Sequence, residues 1–426
     1  MSGDPPYPSR ADLIGTLSKF PSSMRTASFL LSIALLPLAS AEWNQWRGPN
    51  RDGKSPESGL LAAWPKSGPE RTWMIESLGA GYSSLAVANG TLFTQGAKDG
   101  KQFLIALDAE TGEIKWEIEH GKPFSNRRGD GPRGTPTVDG GRVYALGGDG
   151  NLISADAATG ARIWERHLLK TYRGRNINWG MSESPLIDGD QLIVNAGGPG
   201  ASIVALDKAT GKELWKTQSD EAGYSSAVAA DIGGVRQYVV FTGEAAVGVL
   251  AKNGELLWRY TPVSNKTANV ATPVVRDNLV FFSSAYGTGC ALLRLESAGG
   301  STTASEVYFS QDMKNHYSSS VLLDDHLYGF SGRILTAMNF ETGEVTWQDR
   351  SVGKGQMILA DGRLYILSDD GVVGLVEPDP GEYREISRFE IGTVGAYPTW
   401  TLPVIADGTL YLRDQDRLYA YNVKSP

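Results

Sequence analysis

A closed ring of eight four-stranded antiparallel blades, an all-β propeller, is the fold class this sequence predicts. Three observations predict it: a unit that recurs every 38 to 51 residues, paired turn signals inside each unit, and a last unit lacking one strand that an early segment can supply.

The repeat is clearest at its end. Residues 103–116 read FLIALDAETGEIKW, residues 151–164 NLISADAATGARIW, and residues 202–215 SIVALDKATGKELW. VGVLAKNGELLW ends at Trp258 and LTAMNFETGEVTW at Trp347. The earlier fragment GPERTWMIE puts Trp73 at the same position, and two units carry Phe309 and Phe389 there. The structural anchors are therefore Trp73, Trp116, Trp164, Trp215, Trp258 and Trp347 with the two phenylalanines. Their spacing is that of propeller blades.

Each unit reads as four short strands. The first hairpin is marked by Asn89-Gly90, Asp139-Gly140, Asp188-Gly189, Asp361-Gly362 and Asp407-Gly408, with Asp277-Asn278 and Asp324-Asp325 as weaker versions. Such pairs tolerate positive φ and match the strand twist. The second turn is Asp-x-x-Thr-Gly, as at Asp108 to Gly112, where the Asp side chain accepts backbone N–H groups. The tryptophan then falls on the outermost strand, where its ring can fill the wedge between blades. The degenerate unit around 271–309 counts as a blade in the eight-bladed reading; without it the ring has seven.

The last unit gives three strands, Leu402 to Ile405, Thr409 to Leu412 and Arg417 to Tyr421. Its missing outer strand is supplied by Arg71 to Glu76. This closure removes the exposed edges of an open array.

The start of the chain carries a different signal. From Met24 the sequence reads MRTASFLLSIALLPLASA, with a basic residue, an apolar run of about a dozen residues and a small-x-small site. Residues 1–41 are expected to be a leader, an upstream extension followed by a signal peptide cleaved after Ala41; residues 42–426 form one propeller domain. The apolar run is well short of the roughly 20 residues that span a membrane. The expected location is the periplasm or the extracellular space.

A net charge of −8 with scattered basic residues argues against a nucleic-acid partner. Cys290 is the only cysteine, so the chain has no internal disulfide. Gly129-x-Gly131-x-x-Gly134 matches a dinucleotide fingerprint literally, but it contains Pro132 and precedes a strand. Nothing resembles a zinc motif or a nucleophile elbow.

The segments ALDAETGEIKW, ALDKATGKELW and TPTVDGGRVYAL resemble the repeats of the pyrroloquinoline-quinone (PQQ)-like propeller family over nearly all of the chain beyond residue 41. Such repeats occur in quinoprotein alcohol dehydrogenases and in the propeller lipoprotein of the outer-membrane barrel-assembly machine. The dehydrogenases carry adjacent cysteines over their cofactor, which this chain lacks. The lipoprotein is anchored by a cysteine after its leader, where this chain has Ala41-Glu42.

The resemblance implies that the segments before the innermost strands converge on a funnel. They would bring together Arg133, Trp179, Glu183, Asn269, His316, Lys354 and Trp400. Glu183 and Asn269 are the metal candidates, since a carboxylate and an amide oxygen suit Ca²⁺. The expected function is an exported, monomeric binding or scaffold protein, with a protein partner or small-molecule ligand and a place in envelope assembly. The alternatives are a quinoprotein-like oxidoreductase using PQQ and Ca²⁺ and a carbohydrate-binding propeller. No catalytic residue is assigned, and the structural alternative is that Ser-Ser and Thr-Pro recur before the inner strands only because the repeat recurs.

Overall fold

The computed structural model describes residues 42–298, 301–392 and 394–426. The leader expected at residues 1–41 lies outside them. Eight four-stranded antiparallel sheets follow one another around the ring. Blades 1 to 7 span residues 86–119, 137–167, 186–217, 228–260, 274–310, 321–349 and 355–390. Blade 8 joins Val404–Ala406, Thr409–Asp414 and Arg417–Asn422 to the early strand Glu70–Glu76, which pairs antiparallel with Arg417–Asn422. The closing strand is thus the one the sequence predicts, and the degenerate unit around 271–309 is a complete blade. The one α-helix among the described residues is Leu168–Tyr172, and no described helix is long and apolar enough to cross a membrane.

The inner hairpins turn as their residues require. Asn89-Gly90, Asp361-Gly362 and Asp407-Gly408 have positive φ at both positions, the conformation of a two-residue turn matched to strand twist. In blades 2 and 3 the turn lies one residue later than predicted. Asp139 pairs with Arg142 and Asp188 with Gln191, so Gly140-Gly141 and Gly189-Asp190 make the bend. Asp139 and Asp188 stay on the inner strands and take charged neighbours, Lys208 at 2.6 Å and Arg236 at 2.6 Å.

The second turn explains its own consensus. Asp108 Oδ1 accepts the N–H groups of Glu110 and Thr111 at 3.0 and 3.1 Å. Gly112 has φ +75°, and a Cβ there would lie 2.7 Å from the Trp73 ring. Trp73 Nε1 meanwhile donates to Ala109 O at 3.3 Å. One glycine therefore serves both the left-handed backbone and the docking of the preceding blade's tryptophan. Trp116, Trp164 and Trp215 repeat the arrangement on Gly160, Gly211 and Gly254.

Three anchors depart from the prediction. In blade 7 Ser387 holds the register position of the tryptophans, and Phe389 lies two residues on, packed over Gly68. In blade 5 the ring that docks on the next blade is Tyr308, not Phe309. Tyr308 covers Gly343 and donates to Phe340 O at 3.1 Å, whereas Phe309 is exposed. Tyr308 pairs with Leu292 immediately before the outer-strand bulge, the register position that Trp116 holds opposite Ala106. Trp258 donates instead to Gln237 Oε1 of its own blade, over Gly248. The next blade offers it no Asp-x-x-Thr-Gly turn, because its third and outer strands run on as a hairpin of two ten-residue strands.

The apolar core is distributed between blades. Phe93, Leu104 and Ile153 join blades 1 and 2; Phe241, Phe282 and Leu293 join blades 4 and 5. Cys290 is fully buried between blades 5 and 6, where burial pushes its thiol up to about 12. It is a core thiol without nucleophilic character at neutral pH.

Candidate functional site

The channel at the centre of the ring is closed at one end by the chain itself. Residues 43–57 run through it and bond to the inner strands of blades 1, 2, 7 and 8 and to the segments before those of blades 3, 5 and 6. Trp43 pairs with Val87, and Asn44 exchanges bonds with Val138 at 3.1 and 2.8 Å. Ser55 N and Gly53 O meet Leu359, and the Glu57 carboxylate accepts the N–H groups of Asp407 and Gly408 at 2.7 and 3.1 Å.

Two buried arginines fix this floor. Arg47 donates to Ser320 O at 2.7 Å and Asp52 O at 3.0 Å. Arg51 donates to Ser184 O at 2.6 Å and Pro185 O at 3.0 Å. Burial lowers them to about 10 and about 9, so both stay cationic at neutral pH. Backbone carbonyls, not carboxylates, take most of their donors; Arg51 also donates to Gln45 Oε1 at 3.2 Å, and its Nε–H has no partner among the described residues. Both sit in the left-handed region, at φ +63° and +57°, with Gly48 and Gly53 beside them. Nothing in the repeat pattern marks the WNQWRGPNRDG segment as a plug.

Above the floor opens a cup of about 470 Å³. Its base is Trp46, whose Nε1 donates to Thr272 Oγ1 at 2.9 Å. One wall is a run of stacked rings: Tyr82 lies 5.1 Å from Trp400, and Trp400 lies 5.2 Å from Tyr317, each pair 30° apart. Trp179 and Tyr224 form the opposite wall, 5.6 Å between centroids. Gln356 ties Tyr317 to Trp400 through their carbonyls, at 3.1 and 3.3 Å. The Trp400 indole N–H has no partner among the described residues.

Polar groups gather on the side of blades 6 and 7. His316 contacts Lys354 Nζ through Nδ1 at 2.9 Å and Tyr286 Oη through Nε2 at 3.0 Å. Burial first, then Lys354 and Arg128, pushes His316 down to about 4, so its ring is neutral at pH 7. The Lys354 ammonium must donate, so Nδ1 accepts and Nε2–H points at the tyrosine oxygen. Tyr317 donates to Asp369 Oδ1. Burial raises the Asp369 carboxyl, and burial followed by Asp369 raises the Tyr317 phenol. On the far side, Arg133 lies over the Phe124 and Tyr82 rings and donates to Gly129 O at 2.8 Å.

Of the sequence-predicted residues, Arg133, Trp179, His316, Lys354 and Trp400 lie together on the cup wall. Glu183 and Asn269 lie behind it. Glu183 is buried, accepts the Asn195 N–H, and is pushed by burial up to about 8. Asn269 Oδ1 accepts from Asn265 N at 3.0 Å and Ser284 Oγ at 3.2 Å, while its amide donates to Thr242 O. Glu183 Oε1 and Asn269 Oδ1 are taken up by groups of the ring and neither residue lines the cup, so this donor pair does not fit a Ca²⁺ ion there. No cluster of three or more His, Cys, Asp or Glu suited to a metal occurs among the described residues.

Sequence reasoning missed Tyr286, Arg333 and Asp369. They come from the turns between the second and third strands of blades 5, 6 and 7, at the same end of the ring as the segments before the inner strands. Only the alternation of strand direction in a four-stranded blade would have pointed to them.

The family model described as outer membrane protein assembly factor BamB matches residues 57–172 and 133–349. The outer membrane protein assembly factor BamB of Vibrio cholerae is 32% identical over 139 residues, covering 32% of this chain and 33% of that protein. That of Shewanella oneidensis is 23% identical over 291 residues, covering 65% and 66%. The chain thus spans between a third and two thirds of these relatives. Among solved structures, BamB from Moraxella catarrhalis superposes with a TM-score of 0.61 at 17% identity, over 83% of this chain and 99% of that one. The quinohemoprotein alcohol dehydrogenase ADHIIG from Pseudomonas putida HK5 gives 0.62 at 13% identity, over 91% and 81%. At these identities the structures establish the fold alone.

Proposed function

The chain belongs to the PQQ-like repeat family whose model is described as outer membrane protein assembly factor BamB, and from that premise we propose that it is an exported binding scaffold of envelope assembly that seats a ligand in its cup. The observation that carries the reading is the one-sided cup itself. The chain's own residues 43–57 fill one end of the channel, and the other end holds aromatic walls with converging polar groups. That is the make-up of a binding site. Export rests on the leader read in residues 1–41, and the place in envelope assembly on the relatives' name.

The test is stabilisation by ligand, with Trp400→Ala as the cup control. The purified protein is screened by thermal melting against short β-strand peptides of outer-membrane proteins, neutral sugars, and PQQ with Ca²⁺. A bound ligand raises the melting temperature by mass action. A shift lost in Trp400→Ala supports the reading. Alcohol-dependent dye reduction with PQQ and Ca²⁺ would replace it with an oxidoreductase, and shifts that persist in Trp400→Ala would move the site elsewhere.

A further inference from the structure

A second chamber of about 410 Å³ adjoins the cup. The two share Tyr286, His316, Lys354 and Asp369 in their walls, and the second adds Lys314 and Arg333. Together the two chambers are lined by five cations, Arg128, Arg133, Lys314, Arg333 and Lys354, against the single carboxylate of Asp369. This is a local reversal of sign in a chain of net charge −8.

The cations also lack counter-ions. Elsewhere the surface pairs its charges, as at Lys98–Glu117, Arg236–Asp188 and Arg276–Glu341. Among the described residues none of the five makes an ion pair, and the side chains of Lys314 and Arg333 make no hydrogen bond. Asp369 is engaged by Tyr317. His316 is neutral and adds no positive charge, but its Nδ1 accepts a hydrogen bond from one Lys354 N–H and its Nε2–H donates to the Tyr286 oxygen. The remaining two Lys354 donors and the Tyr286 O–H are left to face the chambers. A wall so rich in donors and so poor in acceptors is matched by a ligand of the opposite kind. Three cations around one small chamber, Lys314, Arg333 and Lys354, suit a dianion better than a single carboxylate. The aromatic cup next to it suits a ring.

We propose that the side chamber binds the phosphate group of a small phosphate monoester whose ring-bearing body lies in the aromatic cup. The inference rests on the cup being a ligand seat and adds the chemical class of what sits there. Lys314, Arg333 and Lys354 hold the phosphate oxygens, Tyr286 O–H donates to the group at the passage, and the Tyr82–Trp400–Tyr317 wall packs on the ring.

The experiment titrates the full chain with phenyl phosphate, benzoate, phenol and inorganic phosphate, by calorimetry and by tryptophan fluorescence from Trp46, Trp179 and Trp400. Phenyl phosphate is expected to bind about 10-fold or more tighter than benzoate and phenol, and to weaken steeply between low and high salt. Arg333→Gln and Lys314→Gln, both at positions near solvent, are expected to lose that preference while leaving phenol binding and the melting temperature unchanged. Equal affinity for phenol, benzoate and phenyl phosphate would overturn the phosphate assignment and leave the cup standing as a ligand seat. No binding of any probe, with the protein folded, would overturn the phosphate assignment too. The scaffold reading would then still be decided by its own peptide and sugar screen.

Discussion

At the floor of the ring Arg47 and Arg51 are buried, and their guanidinium groups are bonded to main-chain carbonyls of the plug and of blades 3 and 6. At the mouth, Arg333 is exposed and Lys314 half-buried, and neither has a side-chain partner among the described residues. The same chemistry is used to opposite ends. A buried cation must spend its donors on the protein, because an unsatisfied charge away from water costs several kcal/mol. A cation at a wet rim need not, and can keep its donors for something that arrives later. The floor is therefore where stability should be sensitive to substitution, and the mouth is where binding should be.

The harshest way to break this contrast is to remove the floor. Deleting residues 42–76 takes away the plug, the buried Trp43, Leu60 and Trp64, and the strand that closes blade 8. Each large apolar side chain contributes about 2–3 kcal/mol by burial, and the open edge of Arg417–Asn422 adds to the loss. The truncated protein is expected to show no cooperative melting transition by circular dichroism above 37 °C. A transition at the parent's temperature would mean that neither the plug nor the closing strand supports the ring.

A single side chain sharpens the comparison. Arg47→Ala leaves the carbonyls of Ser320 and Asp52 without their donor in a dry site, and is expected to cost on the order of 3 kcal/mol in urea denaturation. Arg333→Ala should stay within about 0.5 kcal/mol of the parent. Equal costs would erase the distinction between floor and mouth. A smaller effect is expected at the blade junctions. Gly112→Ala forces a Cβ to 2.7 Å from Trp73 at φ +75°, for a loss of about 2 kcal/mol, while Gly90→Ala, with open space around it, should lose only the part due to its φ.

What was legible in the sequence follows the same line. The blades could be read because the repeat forces the same residues into the same contacts: Gly112, Gly160 and Gly211 each carry a tryptophan from the blade before. Reading failed by one residue where two residues of like character stand side by side, as with Tyr308 for Phe309 and Gly140-Gly141 for Asp139-Gly140, because packing and pairing decide which of the two takes the position. Five of the seven predicted funnel residues line the cup, since the segments before the inner strands all end at the mouth. Glu183 and Asn269 sit in those segments too, but they point into the wall and hold it together, and direction within a loop cannot be read from residue type. The plug was invisible for a simpler reason: its partners are mostly backbone groups, with carbonyls from six blades among them, and backbone groups have no sequence signature.

The mildest prediction turns on pH, because the two ends titrate in different ranges. Arg47 and Arg51 at about 10 and about 9 keep their charge throughout the acid range, so neither arginine should itself titrate between pH 7 and 4. His316 should. Its folded value of about 4 lies below the ordinary 6.5 of the unfolded chain. Between those values the unfolded state binds more protons than the folded one, so stability rises with pH there and is lost as pH falls from about 6.5 towards 4. The full shift overstates the effect, since the ring faces the cup and is partly solvated; about 1 kcal/mol is a fair expectation after that discount. Two other buried groups act in the same window. His120, lowered to about 3 by burial, adds to the acid loss, while Glu183, raised to about 8, opposes it. The parent's total slope is therefore mixed, and the informative quantity is a difference. The stability advantage of the parent over His316→Gln, measured by urea denaturation at pH 7, 5.5 and 4, should shrink steadily as the pH falls. An advantage that is constant with pH would show that His316 is as free to take up a proton in the folded mouth as in the unfolded chain, and the distinction between a committed floor and an uncommitted rim would have to be redrawn around Lys354 and Asp369.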